Sequence, residues 1–170
     1  MWRTIKLIAR NGIRTEALPR VDDALRVQAG RLQQEILDIL GRALAIREVD
    51  AGSCNGCELE IHALNNPYYN IEGAGIRFVA SPRHADLLLV TGPVSRNMAE
   101  ALRRTYDAMP DPKLVVAAGQ CACDGGIFGE GYATLGRAGA VVPVDVAVPG
   151  CPPTPLELLQ GILTAVRRGS

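Results

Sequence analysis

The sequence predicts one α/β domain built on a mostly parallel sheet. Three observations carry that expectation. Strand-like and helix-like segments alternate along most of the chain, the order that generates parallel sheets. The run Leu87-Leu88-Leu89-Val90 is uniformly apolar, as in a strand covered on both faces. With 170 residues, 48% of them apolar, the chain can bury a substantial core without disulfides.

Taken in order, residues 22–44 have a helical pattern, with Leu25, Leu32, Ile36, Ile39, Leu40 and Leu44 near one face. A short strand follows over 45–50, then Cys54 and Cys57, then the first turns of a helix over 58–64, stopped by Asn65-Asn66-Pro67. Residues 76–80 and 86–91 read as strands, 98–109 as a helix ending before Pro110 and Pro112, and 113–118 as a fourth strand. A glycine-rich middle leads to a fifth strand over 141–148. Thr154-Pro155-Leu156-Glu157 announces the last helix, with an N-cap, a proline in the first turn and a glutamate placed for a capping box. No repeat or linker divides the chain, so the expected organisation is an N-terminal extension and helix, 1–44, and a compact domain, 45–170.

Charge narrows the partners. Eighteen basic and eighteen acidic residues balance, which gives no electrostatic reason to expect nucleic acid. The balance is local only in part: among the first twenty residues Arg3, Lys6, Arg10, Arg14 and Arg20 face only Glu16, with Trp2, Ile5, Leu7 and Ile8 interleaved. That segment reads either as a solvated terminus or as a tail that docks on a partner subunit or a membrane surface. No secretory leader is apparent, so a cytoplasmic location is expected, and no apolar run approaches the length of a membrane span. Any membrane association is then expected to come through partners.

The five cysteines point to metal or redox chemistry in a reducing compartment. In a parallel sheet the loops leaving the carboxyl ends of the strands share one edge, where ligands bind. Cys54 and Cys57 follow the first expected strand, Cys121 and Cys123 the fourth, and Cys151 the fifth. Four convergent thiolates suit either zinc or a 4Fe-4S cluster. One local pair plus two single residues favours the cluster over zinc, whose structural sites more often use two local pairs. Gly119, Gly125, Gly126 and Gly150 fit close backbone approach to such a centre, though each is also an ordinary turn residue. Gly129-Glu130-Gly131 and Gly136 do not make a nucleotide fingerprint, because no strand leads into them.

Four motifs occur together and in order: Ser53-Cys54-Asn55-Gly56-Cys57-Glu58-Leu59-Glu60-Ile61, Ser81-Pro82-Arg83-His84-Ala85-Asp86, Gly119-Gln120-Cys121 with Gly125-Gly126-Ile127-Phe128, and Val142-Pro143-Val144-Asp145 through Pro149-Gly150-Cys151-Pro152-Pro153-Thr154-Pro155. On these the sequence resembles the small, iron-sulfur subunit of membrane-bound group 4 NiFe hydrogenases of the formate hydrogenlyase and hydrogenase-4 type. That group is homologous to the B subunit of complex I, the 20 kDa subunit family of NADH-quinone oxidoreductase.

The resemblance runs from about Ala45 to the C-terminus. It implies a flavodoxin-like domain holding one 4Fe-4S cluster through Cys54, Cys57, Cys121 and Cys151, with Cys123 left as a spare thiol. It also implies an electron-transfer role without a complete active site on this chain. The implied partners are a NiFe-type large subunit, a ferredoxin-like iron-sulfur subunit and integral membrane subunits, at the cytoplasmic face of the inner membrane.

Complex I subunits carry two adjacent cysteines where this chain has Cys54-x-x-Cys57, so the spacing resembles the hydrogenase branch. Two other functions stand beside that one: the equivalent subunit of a quinone- or ferredoxin-linked complex without nickel, and a zinc-stabilised interaction scaffold. Glu58, next to Cys57, is expected either to influence protons and potential near the cluster or to serve the helix N-terminus. Arg83 lies in a loop that the resemblance places near the cluster-bearing edge, or is a surface arginine. His62 and His84 read as structural or surface residues, because a full cysteine set exists without them.

Overall fold

The computed structural model describes residues 2–12, 27, 31, 34, 37, 38 and 41–169. Its centre is a five-stranded sheet, every strand parallel to its neighbours. The strands are β1 (Leu44–Asp50), β2 (Ile76–Phe78), β3 (Leu87–Thr91), β4 (Leu114–Ala118) and β5 (Val146–Val148). Their order across the sheet is β2-β1-β3-β4-β5, the doubly wound order of flavodoxin-like domains. The expected fold class is therefore the observed one.

Burial explains why these segments became strands. Every residue of β3 is buried, and the two faces of the sheet support separate apolar layers. On one face Leu44, Ile46, Leu87, Leu89, Val116 and Val148 pack under α2 (Gly56–Ala63) and α5 (Pro155–Gly169). On the other, Val49, Leu88, Val90, Val115 and Ala117 pack with Leu102 of α3 (Arg96–Asp107) and Ala122 of α4 (Gln120–Asp124). The alternation within each strand is the pleat sending successive side chains to opposite layers.

Local chemistry sets the helix ends. The Ser95 side chain caps α3 by accepting from Met98 N at 3.2 Å. At α5 the capping box forms as the sequence predicts: Thr154 N donates to Glu157 Oε2 at 2.7 Å, and Glu157 N to Thr154 Oγ1 at 3.4 Å. A loop between α4 and β5 is strapped to α3 by Arg96, whose guanidinium donates to the carbonyls of Gly131 and Tyr132, each at 3.0 Å. Asp86, buried at the start of β3, accepts from Ala45 N at 3.0 Å and pairs with Arg42.

The differences from the sequence-based expectations are local. The expected strand over 141–148 shrinks to Val146–Val148, because residues 138–140 form a 3-10 turn and Asp145 bends the chain to accept from Val115 N at 2.7 Å. The glycine-rich middle contains α4, a helix too short for periodicity to announce. Residues Trp2–Asn11 form a helix, α1, also unanticipated. The helix expected over 22–44 lies mostly outside the described residues; Val27, Arg31, Gln34, Leu37 and Asp38 within it are helical and exposed, while Leu44 belongs to β1. Among the expected tail residues, Arg14, Glu16 and Arg20 lie outside the described residues.

Leu88 is fully buried and Leu59 is exposed. Leu88→Ala is therefore expected to lower unfolding free energy by about 2–5 kcal/mol, and Leu59→Ala by less than about 0.5 kcal/mol, in urea titrations. Equal losses at the two positions would contradict the layer assignment.

Candidate metal centre

The site is assembled where β1, β4 and β5 end. Asp50 closes β1, and its Oδ1 accepts from Gly52 N at 2.8 Å and Ser53 N at 2.7 Å, turning the chain toward Cys54. Ala51 fastens this turn to the end of β3, donating to Thr91 O at 3.0 Å and accepting from Ser95 N at 2.8 Å. Gly92 makes the crossing possible: with φ +72°, it leaves a Cβ position only 2.5 Å from Ser53 N, so any side chain there would collide with backbone.

Ser53 then organises the helix entry. Its hydroxyl accepts from Asn55 N at 3.1 Å and donates to Glu58 Oε2 at 2.6 Å. Glu58 is buried, and its other oxygen, Oε1, has no hydrogen-bond partner. Glu58 is held beside the cysteine loop by Ser53 and also stands in the first turn of α2, where a carboxylate complements the helix dipole.

The other two cysteine loops are stitched together by their backbones. Gly119 N donates to Val148 O at 2.8 Å and Gln120 N to Gly150 O at 2.7 Å, joining the loop of Cys121 to that of Cys151. Contacts between loops complete the convergence. The Cβ position of Gly119 lies 2.5 Å from Cys57 Sγ, with φ +89°. That of Gly126 lies 2.8 Å from Cys121 Sγ, and that of Gly56 lies 3.5 Å from Cys54 Sγ and 3.9 Å from Cys151's neighbour Pro152. The first distance means that the loop after β4 rests directly on a sulfur supplied by the loop after β1.

Electrostatics reports the same grouping. Burial, then Glu58, then the thiols of Cys54, Cys121 and Cys151 push the Cys57 thiol up to about 12. Cys121 is likewise raised by burial, by Cys151 and Cys54, and by Asp124. Backbone bonds and glycine contacts thus bring the loops that carry Cys54, Cys57, Cys121 and Cys151 to one edge of the sheet. Cys123 behaves differently: its Sγ donates to Ala117 O at 3.6 Å and packs against the apolar layer, and burial and Asp124 push it up to about 11.

Arg83, His62 and His84 are all exposed. Arg83 lies in the 3-10 turn Pro82–His84, which leads into the amino-terminal end of β3, where Asp86 N donates to Ala45 O. His62 lines a cleft of about 320 Å³ with Arg47, Glu48 and Asn65.

Four thiols with no imidazole among them suit a soft, thiolate-held centre. Among the described residues no three His, Cys, Asp or Glu side chains are grouped to hold a single ion. Gly119 and Gly126 keep side chains away from the sulfurs of Cys57 and Cys121, where a Cβ would stand 2.5 Å and 2.8 Å from them. The residues present therefore fit an iron-sulfur cluster. Sequence reasoning placed Ser53 in the first motif without a role and missed the supporting residues Asp50 and Gly92, although Asp at a strand end is a turn-forming residue.

Two outcomes are expected from this geometry. Gly119→Ala places a methyl against Cys57 Sγ at positive φ, and is expected to cost about 1–3 kcal/mol and to displace the Cys57 loop in a crystal structure. An unchanged loop would show that the close approach is not real. Glu48 is raised above its ordinary value by burial, then by Glu58 and Asp50. A raised carboxyl favours the native state when protonated, so its contribution weakens as pH climbs from 4.5 through the raised value. Glu48→Gln should stabilise the protein more at neutral pH than at pH 4.5, measured by thermal melts, and a pH-independent effect would count against this account.

Comparison with known proteins gives the architecture a family. The family model described as NADH ubiquinone oxidoreductase, 20 Kd subunit, matches residues 54–165. A Pyrococcus furiosus protein named as probable membrane-bound hydrogenase subunit mbhJ is 43% identical over 81% of this chain and 84% of its own. The B subunit of NADH-quinone oxidoreductase from Desulfovibrio desulfuricans is 47% identical over 72% of this chain and 66% of its own. Among solved structures, a chain of the membrane-bound sulfane sulfur reductase, an archaeal respiratory membrane complex, superposes with a TM-score of 0.66 at 32% identity, covering 79% of this chain and 77% of that one. The matched region begins at Cys54 and takes in Cys151, so the cysteine-bearing edge lies inside it, and the chain belongs to the family of the 20 kDa subunit of NADH ubiquinone oxidoreductase.

Proposed function

We propose that this chain is the electron-transfer subunit of a membrane-bound hydrogenase complex, holding one 4Fe-4S cluster through Cys54, Cys57, Cys121 and Cys151. The observation that carries the reading is the convergence of these four thiols from three strand-end loops, with Gly119 pressed against Cys57 Sγ. An iron-sulfur cluster supplies reversible one-electron transfer and asks the protein only for ligation, tuning and exclusion of water. The chain's own residues suit that division. Backbone hydrogen bonds fix the Cys121 and Cys151 loops to each other, and Ser53 orients Glu58 beside Cys57. Cys123 stays turned toward Ala117.

The edge also has the surface of a docking face. Leu59, Ile127, Phe128 and Leu156 are exposed, one or two from each cysteine loop or its helix, and Ile127 is 93% exposed. Apolar side chains gathered around a redox centre invite a partner that covers them and brings its own centre within electron-transfer range. In this reading the cover is a NiFe-type large subunit, with a ferredoxin-like iron-sulfur subunit and integral membrane subunits completing the complex at the cytoplasmic face of the membrane. Among the described residues no helix is long and apolar enough to cross a membrane. The extension and the domain, 1–44 and 45–170, divide the labour between attachment and electron transfer.

A second reading has a specific observation behind it. The relatives named for hydrogenase and for quinone reduction are about equally similar, and the superposed structure is a sulfane sulfur reductase. The Cys54-x-x-Cys57 spacing favours a hydrogenase, and a partner without nickel is the alternative. Two Cys-x-x-Cys pairs in the large subunit that co-purifies would support nickel chemistry; their absence would transfer the chain to the quinone- or ferredoxin-linked alternative.

Anaerobic purification with iron and sulfide analysis tests the cluster. About four irons and four sulfides per chain are expected. A colourless protein with stoichiometric zinc would replace the proposal with a zinc-stabilised scaffold. Cys123→Ser is expected to keep the cluster and its reduced-state paramagnetic signal, while Cys151→Ser loses or alters them. Equal loss in both variants would refute the ligand assignment.

A further inference from the structure

α1 carries none of the residues assigned to the metal centre. Residues Trp2 through Arg10 are all exposed, and Trp2 is 70% exposed. At about 100° per residue, Trp2, Ile5, Ile8 and Ala9 fall within an arc of about 120°. Arg3, Lys6 and Arg10 fall within about 60° directly beside that arc, and the helix contains no acidic residue. Leu7 lies outside both arcs. Lys6 Nζ sits 5.9 Å from the centre of the Trp2 ring, so the aromatic residue and the cations share one boundary.

We infer that α1 is an interfacial helix that lays this chain directly on an anionic lipid surface. A helix with Trp and aliphatic residues on one side and Lys/Arg bordering them matches the chemistry of the headgroup boundary. Phosphates meet the cations while the apolar arc sinks among acyl chains, and Trp2 occupies the level between. A protein groove would reward the apolar arc but impose the desolvation of three adjacent cations unless it supplied matching carboxylates. The lipid surface satisfies both faces of α1 at once. With only ten residues the helix makes a weak, reversible contact that orients the chain rather than anchoring it. This inference is independent of whether the thiols hold a cluster.

Trp2 is the only tryptophan in the chain, so its fluorescence reports this helix alone. The full chain is mixed with vesicles of phosphatidylcholine, or of equal parts phosphatidylcholine and phosphatidylglycerol, followed by emission and co-sedimentation. A blue shift and co-sedimentation are expected only with phosphatidylglycerol, both weakening as salt rises. The combined Arg3→Gln, Lys6→Gln, Arg10→Gln variant should partition on the order of 100-fold more weakly. Ile5→Asp with Ile8→Asp should abolish the blue shift. All five positions are exposed, so these variants keep the core intact. Equal binding to both vesicles, or unchanged binding by the triple variant, would overturn the inference. So would a Trp2 shift produced by partner subunits in the absence of lipid, which would make α1 a protein-docking helix.

Discussion

The three cysteine loops share one edge because β1, β4 and β5 run in the same direction. Parallel strands release their chains at a common edge, so three loops distant in sequence become neighbours without any long-range search beyond strand pairing itself. The backbone bonds Gly119–Val148 and Gln120–Gly150 continue the β4 and β5 pairing a step past the strands. Reversing either strand would carry its cysteine to the far end of the sheet. Site and sheet are thus one construction, and the buried β3 at the middle holds both sides of it in register.

That arrangement has an electrostatic cost. Four ionisable thiols and the buried Glu58 share a small volume, and each negative charge raises the cost of the next. Without a counter-charge the Cys57 thiol remains protonated at neutral pH. A bound cationic centre would reverse the balance, since coordinating thiols must ionise, and its loading would release protons. The unpaired Glu58 Oε1 adds one more acceptor to a region already rich in them.

The architecture was legible because its determinants are short-range. The apolar run of β3, the Pro155 and Glu157 signals of α5 and the strand-end positions of the cysteines can all be read without knowing what they touch. Residues whose role depends on a distant neighbour were not legible. Gly92 looks like a turn residue until Ser53 is seen crossing it, and Asp145 looks like part of a strand until it is seen accepting from Val115. Arg83 shows the same limit. Its loop begins after β2, which pairs only with the first half of β1, and the exposed side chain fits the surface arginine that the sequence also allows. The helix α1 was present in the three- and four-residue spacing of Trp2, Ile5, Ile8 and Ala9, a signal obscured by the run of charges between them.

The short helix α4 does more than carry a cysteine. Two residues apart on a helix, Cys121 and Cys123 point about 200° away from each other. One sulfur therefore reaches the open edge and the other donates toward Ala117 in the interior. Helical phase, rather than chemical difference, separates two identical thiols. One residue inserted between Gly119 and Cys121 would rotate both by about 100°, leaving neither where it now stands. The number of residues between the end of β4 and Cys121 is thus a fixed length in this protein, as constrained as the cysteine itself.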